Sequence, residues 1–310
     1  MAPRRESHLL GGFRTNLFGR SYADKSGLCS GVNGVGHDPR VRLKPLSHAS
    51  PSVRLWECTM GSNLKQQIQA QHPIAGCFIS IPHPASVEAC AVSGIDFICI
   101  DAEHSAVGRD TLENMVRAAE CANLPSLVRV PDAKSGWIGW ALDSGADGII
   151  VPRVETEEDA KLIVNAAYYS PKGSRGVGIA RGSSYGTSLL SDTESAHDRT
   201  CVIVQIETLE GVRNAQKIIN VQGIDAVFIG PFDLGLSLRA VPEHERPTLE
   251  STILTIRQTC EASGINVGIF IPNAREVKKF AEFPLKIIGT DVMHLQQGLK
   301  SIGAALSVPD

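Results

Sequence analysis

Eight short apolar runs constrain the fold of this chain more than any other feature. Each is long enough for one buried strand, and most gaps between them carry segments with a helical period, such as ETEEDAKLIVNAA. Strands that alternate with helices are typical of a parallel sheet covered by helices, and eight such units over about 250 residues predict a closed (β/α)8 TIM barrel. The runs are GCFISI at 76–81, DFICID at 96–101, PSLVRV at 125–130, GIIVPR at 148–153, CVIVQIE at 201–207, AVFIGP at 226–231, NVGIFI at 266–271 and LKIIGT at 285–290.

An open, doubly wound sheet is the competing α/β architecture. That fold usually has a glycine-rich turn after its first strand. The segment FISIPHPAS at the end of the first run contains no glycine. We therefore expect residues 53–310 to form a single (β/α)8 domain.

Residues 1–52 differ in composition from the rest of the chain. They are rich in Arg, Ser, Gly and Pro and lack a sustained hydrophobic period, which predicts a disordered extension outside the domain. The alternative is an organelle transit peptide built around the basic residues Arg4, Arg5, Arg14 and Arg20. Glu6 and Asp24 weaken that alternative because transit peptides are poor in acidic residues. We expect a cytoplasmic protein, or a mitochondrial one if the extension is a transit peptide.

Composition favours a protein that handles small molecules. The formal net charge is -3, so electrostatics give no reason to expect nucleic acid or an anionic membrane as a partner. No apolar run approaches the roughly 20 residues that a membrane-spanning helix needs. The eight cysteines include no CxxC pair, which argues against a zinc site.

Two carboxylates follow strongly apolar runs and are the first candidates for chemistry. Glu207 lies two residues after CVIVQ, and Asp233 lies three residues after AVFIG, the apolar part of the next strand. A carboxylate at such a position is costly unless it is paired or binds a cation, and adjacent barrel strands bring the two together. Two carboxylates with water and a 2-oxo acid make the hard oxygen site that Mg²⁺ or Mn²⁺ favours. The structural alternative is that Glu207 caps a helix and Asp233 ends a strand.

Three further residues lie where a barrel carries its catalytic side chains, at the carboxyl ends of strands. Asp101 ends the second run, and His104, three residues later, is the predicted general base that removes a hydroxyl proton. Arg129 in SLVRV is predicted to stabilise negative charge on an enolate oxygen. Its structural alternative is an ion pair with Asp101 or Asp132.

Substrate contacts are predicted at two other places. The turn that contains Phe232 could bind a substrate carboxylate through its free backbone N–H groups. The Gly- and Ser-rich stretch after residue 170 is too long for a simple connector, and we expect it to line the barrel mouth. Within it, Ser183 and Tyr185 are predicted to contact the second substrate.

The motifs IDAEH, LVR, VPRV, SRGVG, VQIET and IGPFDL, in this order, resemble the HpcH/HpaI aldolases, which are class II, metal-dependent pyruvate aldolases. The resemblance covers residues 62 to 306. It implies a barrel of the phosphoenolpyruvate/pyruvate superfamily with Glu207 and Asp233 as metal ligands and Gln205 in the inner shell. It also implies that His104 with Asp101 is the acid/base pair and that Arg129 stabilises the enolate.

The resemblance implies an assembly as well. The final helix of the family is typically exchanged between subunits of trimers or hexamers, and residues 292–306 would be that helix here. The segment FIGPFDLG resembles the corresponding sequence in a subgroup of the family that includes macrophomate synthase.

The expected function is therefore that of a carbon–carbon lyase with a divalent cofactor, Mg²⁺ first and Mn²⁺ or Co²⁺ as alternatives. It would form pyruvate enolate by cleaving a 4-hydroxy-2-oxo acid to pyruvate and an aldehyde, or by decarboxylating oxaloacetate. The alternatives are an acyl-CoA lyase of the citrate-lyase-β or malyl-CoA-lyase type, a macrophomate-synthase-like biosynthetic enzyme, and a catalytically silent barrel. A Schiff-base aldolase is disfavoured because no run ends in a lysine.

Overall fold

The computed structural model describes residues 63–134 and 136–306, and in them eight parallel strands close into a barrel in sequence order. The strands are β1 Ile74–Ile79, β2 Phe97–Asp101, β3 Ser126–Arg129, β4 Gly148–Val151, β5 Cys201–Ile206, β6 Ala226–Ile229, β7 Asn266–Ile271 and β8 Leu285–Thr290. Every predicted run overlaps one of these strands, so the predicted fold class is confirmed. The boundary predicted between residues 52 and 53 lies outside the described residues.

Helices follow the strands around the outside of the barrel. They are α1 Leu64–Gln69, α2 Pro84–Ala91, α3 Arg109–Cys121, α4 Trp137–Asp143, α5 Glu157–Ala167, α6 Leu189–Arg199, α7 Leu209–Arg213, α8 Ala215–Ile219, α9 Pro231–Leu238, α10 Leu249–Ala262 and α11 Asp291–Leu306. Short 3₁₀ segments occupy Arg181–Gly186 and Ala274–Phe280.

The strands are predominantly apolar because both of their faces are buried. One face packs under the helices, and the other fills the barrel interior with side chains such as Phe97, Leu127 and Phe228. All six residues of β5 are buried, for example. Continuous apolar runs of this kind are expected of parallel strands covered on both sides.

The turns before β2, β4 and β6 share a Gly-X-Asp pattern at 94–96, 145–147 and 223–225. Each glycine has a positive φ, which glycine adopts at little cost after a helix. Each aspartate accepts a hydrogen bond of 2.8 to 2.9 Å from a backbone N–H near the start of the preceding strand. These three aspartates therefore tie β1 to β2, β3 to β4 and β5 to β6 at the amino ends of the strands.

The amino end of the barrel also holds a buried ion pair. Lys65 on α1 is only 6% exposed, and its Nζ lies 3.1 Å from Oδ2 of Asp225. The same Nζ donates to the hydroxyl of Tyr168 at 2.8 Å and to the carbonyl of Thr200 at 2.9 Å. Four elements around the base of the barrel thus meet at one ammonium group.

Helix α11 differs from the others because none of its residues is buried within the chain. Its exposed apolar side chains include Leu295, Leu299 and Ile302, each more than half exposed. It coincides with the helix predicted over 292–306. Among the described helices, none combines the length and apolar character required to cross a bilayer.

Candidate active site at the carboxyl ends of the strands

The site predicted from the sequence lies at the carboxyl ends of β2, β3 and β5 and at the start of α9. We call this end of the barrel the mouth. Asp101 ends β2 and Arg129 ends β3, in direct register with each other. Glu207 follows β5, and Asp233 lies in the first turn of α9, which follows β6. The topology therefore brings these four predicted residues to one end of the barrel.

Asp101 holds Arg129 in a bidentate ion pair. Nε of Arg129 donates to Oδ1 at 3.0 Å and Nη2 donates to Oδ2 at 2.7 Å. The guanidinium also lies 4.3 Å from the ring centre of Phe78, which shields its inner face. The ion pair that the sequence offered as a structural alternative for Arg129 is therefore present, and it also fixes the guanidinium at the mouth.

The imidazole of His104 contacts Glu103 rather than Asp101. Asp101 accepts hydrogen bonds from the backbone N–H groups of Glu103 and His104 at 3.1 and 3.2 Å, and no described hydrogen bond joins it to the imidazole. Nε2 of His104 lies 3.6 Å from Oε2 of Glu103, and the His104 side chain is 64% exposed. Direct pairing of Asp101 with the His104 ring is thus absent in this structure. Glu103 is the carboxylate placed to orient the ring.

Glu207 is 5% exposed and bound through both carboxylate oxygens. The side-chain amide of Gln205 donates to Oε2, and the backbone N–H of Arg153 donates to Oε1 at 3.0 Å. Arg153 follows β4 and has a φ of +53°, in the left-handed region. Gln205, expected in the inner shell, is therefore in direct contact with the predicted metal ligand.

Gly230 leaves the space that the Glu207 carboxylate occupies. A Cβ at position 230 would lie 2.7 Å from Oε2 of Glu207 and 3.0 Å from Nε2 of Gln205. The helix α9 begins directly after this glycine, with Phe232 and Asp233 exposed in its first turn. Phe232 is 75% exposed at the mouth, and no side chain caps the N–H groups beside it.

Burial and crowding of carboxylates make the mouth receptive to a cation. Burial raises the pKa of Glu207 to about 7, and the charges of Glu103 and Asp233 contribute to the rise. Burial likewise raises the pKa of Glu103 to about 7, against the opposing effect of Arg129. Carboxyls that resist ionisation because of burial and like charges are stabilised as anions when a cation arrives.

The residues present fit a divalent cation that also takes ligands from elsewhere. Oε1 of Gln205 and Oε2 of Glu103 are buried and accept no hydrogen bond from the described residues. Within the described ranges, no group of three or more His, Cys, Asp and Glu side chains could hold a metal alone. Glu207 and Asp233 would therefore bind the cation together with substrate oxygens and water, the mixed set that Mg²⁺ commonly keeps.

The raised pKa of Glu207 predicts pH-dependent cation binding. A cation favours the ionised carboxyl, so affinity should rise as the pH increases through about 7. A carboxyl of that pKa is about one-tenth ionised at pH 6, so we expect about tenfold weaker binding at pH 6 than at pH 8. Calorimetric titration with Mn²⁺ at both pH values, in buffers of different ionisation enthalpy, measures the affinity and the protons released. Equal affinities at the two pH values would contradict the prediction.

Gly230→Ala should weaken cation binding without unfolding the protein. The φ of Gly230 is -97°, which alanine adopts freely, so the substitution acts through its contact with Glu207 and Gln205. Displacing a ligand by about 1 Å can cost about a hundredfold in function. Gly235→Ala on α9 is the matched control, because a Cβ there meets only Leu249 at an ordinary 3.6 Å. Equal cation affinities for the two variants in calorimetry would refute the role assigned to Gly230.

Ser183 and Tyr185 are not brought to the mouth within this chain. Their 3₁₀ segment connects α5 to α6, and its Arg181 donates to the carbonyl of Ser144 at the end of α4. That contact lies at the amino ends of the strands, so the expectation that this stretch lines the mouth of its own barrel is wrong. The connection leaves a helix and leads to another helix before β5, and such connections return to the amino ends.

Sequence reasoning missed two residues of the site. Glu103 lies in the IDAEH run, where the sequence indicates no separate role for it, and Arg153 lies in the VPRV run. The position of Arg153 directly after an apolar strand is the signal that could have found it, because the same rule found Glu207.

Comparisons with known proteins agree with this geometry. A family model described as HpcH/HpaI aldolase/citrate lyase matches residues 75–297. Hydroxypyruvate/pyruvate aldolase of Roseobacter denitrificans is 31% identical over 246 residues, which are 78% of this chain and 96% of the relative. The 4-hydroxy-2-oxo-heptane-1,7-dioate aldolase of Klebsiella pneumoniae is 31% identical over 253 residues, 79% of this chain and 94% of the relative.

A solved structure gives the same result. The crystal structure of a HpcH/HpaI aldolase/citrate lyase family protein from Burkholderia cenocepacia J2315 aligns with a TM-score of 0.74. It is 30% identical, and the alignment covers 80% of this chain and 100% of that chain. Both sequence and structure are therefore similar to the family over the whole barrel.

Proposed function

This chain belongs to the HpcH/HpaI aldolase/citrate lyase family, and from that premise we propose that it is a divalent-cation-dependent carbon–carbon lyase. Its substrates would be 2-oxo acids that yield pyruvate enolate: a 4-hydroxy-2-oxo acid, which releases an aldehyde, or oxaloacetate, which releases CO₂. Relatives at 31% identity are named as aldolases that act on hydroxypyruvate, pyruvate and a 4-hydroxy-2-oxo acid. Which electrophile this chain uses, and whether it resembles the macrophomate-synthase subgroup, stay predictions.

One observation carries the proposal. The buried Glu207 carboxylate lies at the same end of the barrel as the Arg129 guanidinium, which Asp101 fixes in place. A cation site and a fixed guanidinium are the two groups that stabilise negative charge on the keto oxygen of a 2-oxo acid.

The cation, with Mg²⁺ first and Mn²⁺ or Co²⁺ as alternatives, would be held by Glu207 and Asp233 and would supply Lewis-acid stabilisation of the keto oxygen. In the retro-aldol reaction, His104 accepts the proton of the C4 hydroxyl as the bond between C3 and C4 breaks. The electron pair of that bond moves to C3 and the keto group, where Arg129 stabilises the charge. Asp101 keeps Arg129 in position, and Glu103 lies beside the imidazole of His104.

The test is to incubate the purified protein with oxaloacetate and with 4-hydroxy-2-oxo acids, with added Mg²⁺ and after chelation. Pyruvate is measured by reduction with lactate dehydrogenase, and adducts with a panel of aldehydes are detected by mass spectrometry. We expect pyruvate release that requires the cation. Cation-independent release, no pyruvate from any of these 2-oxo acids, or binding of no divalent cation would each reject the proposal.

We propose in addition that the protein is a homo-oligomer, a trimer or a hexamer, with α11 at a subunit interface. Leu295, Leu299 and Ile302 on this helix are 56%, 58% and 60% exposed in the single chain. Exposed apolar surface of this kind commonly marks a protein interface. The mass in solution, measured by light scattering after size exclusion, should be a multiple of three times the 33.2 kDa chain. A monomeric mass would exclude it.

A further inference from the structure

A polar cavity lies at the amino ends of β4 and β5, at the opposite end of the barrel from the mouth. Its volume is about 230 Å³, and its walls come from α3, α4, α6 and the 3₁₀ segment over Arg181–Gly186. Sites for drug-sized ligands measure about 300 to 1,000 Å³, so this cavity suits a smaller molecule. We call it the β4–β5 cavity. Six charged side chains line it: Glu120, Asp147, Arg175, Arg181, Asp192 and Arg199.

Asp147 is a carboxylate of this cavity that lacks a cationic partner. It belongs to the Gly-X-Asp turn before β4 and accepts a hydrogen bond of 2.8 Å from the backbone N–H of Ser126. Its counterpart before β6, Asp225, is neutralised by the ammonium group of Lys65 at 3.1 Å. Over 63–134 and 136–306, no Lys, Arg or His nitrogen lies within 4.0 Å of the Asp147 carboxylate. Burial raises the pKa of this carboxyl, and an added cation would oppose that rise.

Two guanidinium groups of the cavity lie close enough to repel each other. Arg199 is 48% exposed in its side chain and pairs with Asp192. Burial lowers the pKa of Arg199, and the charge of Arg175 adds to the decrease, whereas the charge of Asp147 opposes it. Arg175 is 7% exposed in its side chain and pairs with Asp143 at 2.6 Å, but its buried Nε donates to no acceptor among the described residues. An anion beside both guanidinium groups would relieve their repulsion.

The charge balance of the cavity favours a ligand that carries both signs. Arg181 pairs with Glu120 and donates to the carbonyl of Ser144 at 2.8 Å, so this pair forms a satisfied part of the wall. The groups left to a ligand are the Asp147 carboxylate, which attracts a cation, and the two guanidinium groups, which attract an anion. A zwitterion supplies both charges and adds no net charge to a partly buried space, where an uncompensated charge is costly.

We propose that the β4–β5 cavity binds a small α-amino acid. Its ammonium group would pair with Asp147, as Lys65 pairs with Asp225, and its carboxylate would lie beside the guanidinium groups of Arg199 and Arg175. The two charged groups of an α-amino acid are attached to one carbon atom, which suits a site whose opposite charges lie close together. The site shares no residue with the mouth and does not depend on the proposed function.

Binding measurements test the ligand class first. Thermal unfolding of the purified protein with each of the twenty protein amino acids identifies the preferred one, because a ligand of the folded state raises the melting temperature. Calorimetry then compares this amino acid with the corresponding amine, which lacks the carboxylate, and the corresponding acid, which lacks the amino group. Each analogue should bind at least tenfold more weakly, because each loses one charge-assisted contact.

Asp147→Asn should weaken binding of the preferred amino acid at least tenfold. The asparagine oxygen can still accept the N–H of Ser126, so the turn before β4 is retained. Asp96→Asn is the matched control, since Asp96 occupies the same turn before β2 and accepts the N–H of Ala75 at 2.8 Å but does not line the cavity. This control should bind the amino acid as tightly as the parent.

Arg199→Gln should weaken binding of the amino acid at least tenfold and leave binding of the amine analogue within about twofold. If Asp147→Asn does not fold, this variant decides the question. Arg213→Gln, at a mostly exposed arginine on α7, is its control and should change neither affinity. Glu207→Gln should also bind the amino acid as the parent does, which separates the cavity from the cation site at the mouth.

Four results would overturn the site. They are no increase in melting temperature with any amino acid, analogues that bind as tightly as the amino acid, full affinity in Arg199→Gln or in folded Asp147→Asn, and a loss of affinity in Glu207→Gln. The last would assign the binding to the mouth. None of these measurements uses the turnover of a 2-oxo acid, so the cavity stands or fails separately from the proposed function.

Discussion

Replacing Glu207 with glutamine should reduce cation-dependent oxaloacetate decarboxylation to below about one per cent of its original rate. The glutamine retains the volume of Glu207 but removes the buried charge that would hold the cation between β5 and α9. Loss of one preorganised electrostatic group costs about 10²- to 10³-fold in rate, and here the loss removes the cation as well. Asp233→Asn should have a similar effect, and initial rates at saturating Mg²⁺ measure both.

The stability of the Glu207→Gln variant provides the internal control. Because burial raises the pKa of Glu207, the folded chain gains little from this carboxylate in the absence of a cation. The variant should therefore melt at or above the temperature of the cation-free parent, although Mg²⁺ should no longer raise that temperature. Glu210→Gln, on the exposed part of α7, should leave both activity and the Mg²⁺ effect unchanged. Full activity in both Glu207→Gln and Asp233→Asn would reject the metal site.

Replacing Lys65 with methionine should lower the free energy of unfolding by about 3 to 5 kcal/mol. Methionine fills similar space but leaves Asp225 as a buried carboxylate without its cation and Tyr168 without its donor. For a domain of this size each kcal/mol lowers the melting temperature by about 2 to 4 °C, so we expect a decrease of about 10 °C. Thermal unfolding followed by circular dichroism measures it.

A double variant separates the ion pair from loss of packing. Asp225→Asn in the Lys65→Met background removes the unpaired charge and should restore part of the lost stability. Lys172→Met, at an exposed lysine after α5, should change the melting temperature little. If Lys65→Met melts within a few degrees of the parent, the ammonium group does not hold the base of the barrel.

The sequence predicted the barrel because parallel strands buried on both faces read as continuous apolar runs. It also predicted Asp101, Arg129, Glu207 and Asp233 at one end, since the alternation of strands and helices decides which end of each strand carries function. The prediction failed for Ser183 and Tyr185 because the segment over Leu189–Arg199 was not identified as a helix. If α6 is not recognised, the Gly- and Ser-rich segment before it resembles a single long loop, which could lie at either end of the barrel.

The partners of individual side chains could not be read from the sequence. The imidazole of His104 faces Glu103, while the backbone N–H groups of Glu103 and His104 donate to the Asp101 carboxylate. The N–H of Arg153 donates to Glu207 from a residue with a positive φ, and no residue type in VPRV predicts that angle. Such contacts depend on local backbone angles, and sequence period fixes only which residues share a strand.

The hydrogen bond from Val202 to Asp225 has a consequence far from where it lies. It aligns the amino ends of β5 and β6. Glu207 lies five residues after Val202, and Gly230 lies five residues after Asp225. The register between the two strands is therefore set at their amino ends, remote from the substrate. A shift of one residue there would turn every later side chain of the strand to the opposite face. Loops at the mouth can therefore change with substrate while the distance between the reacting groups is kept.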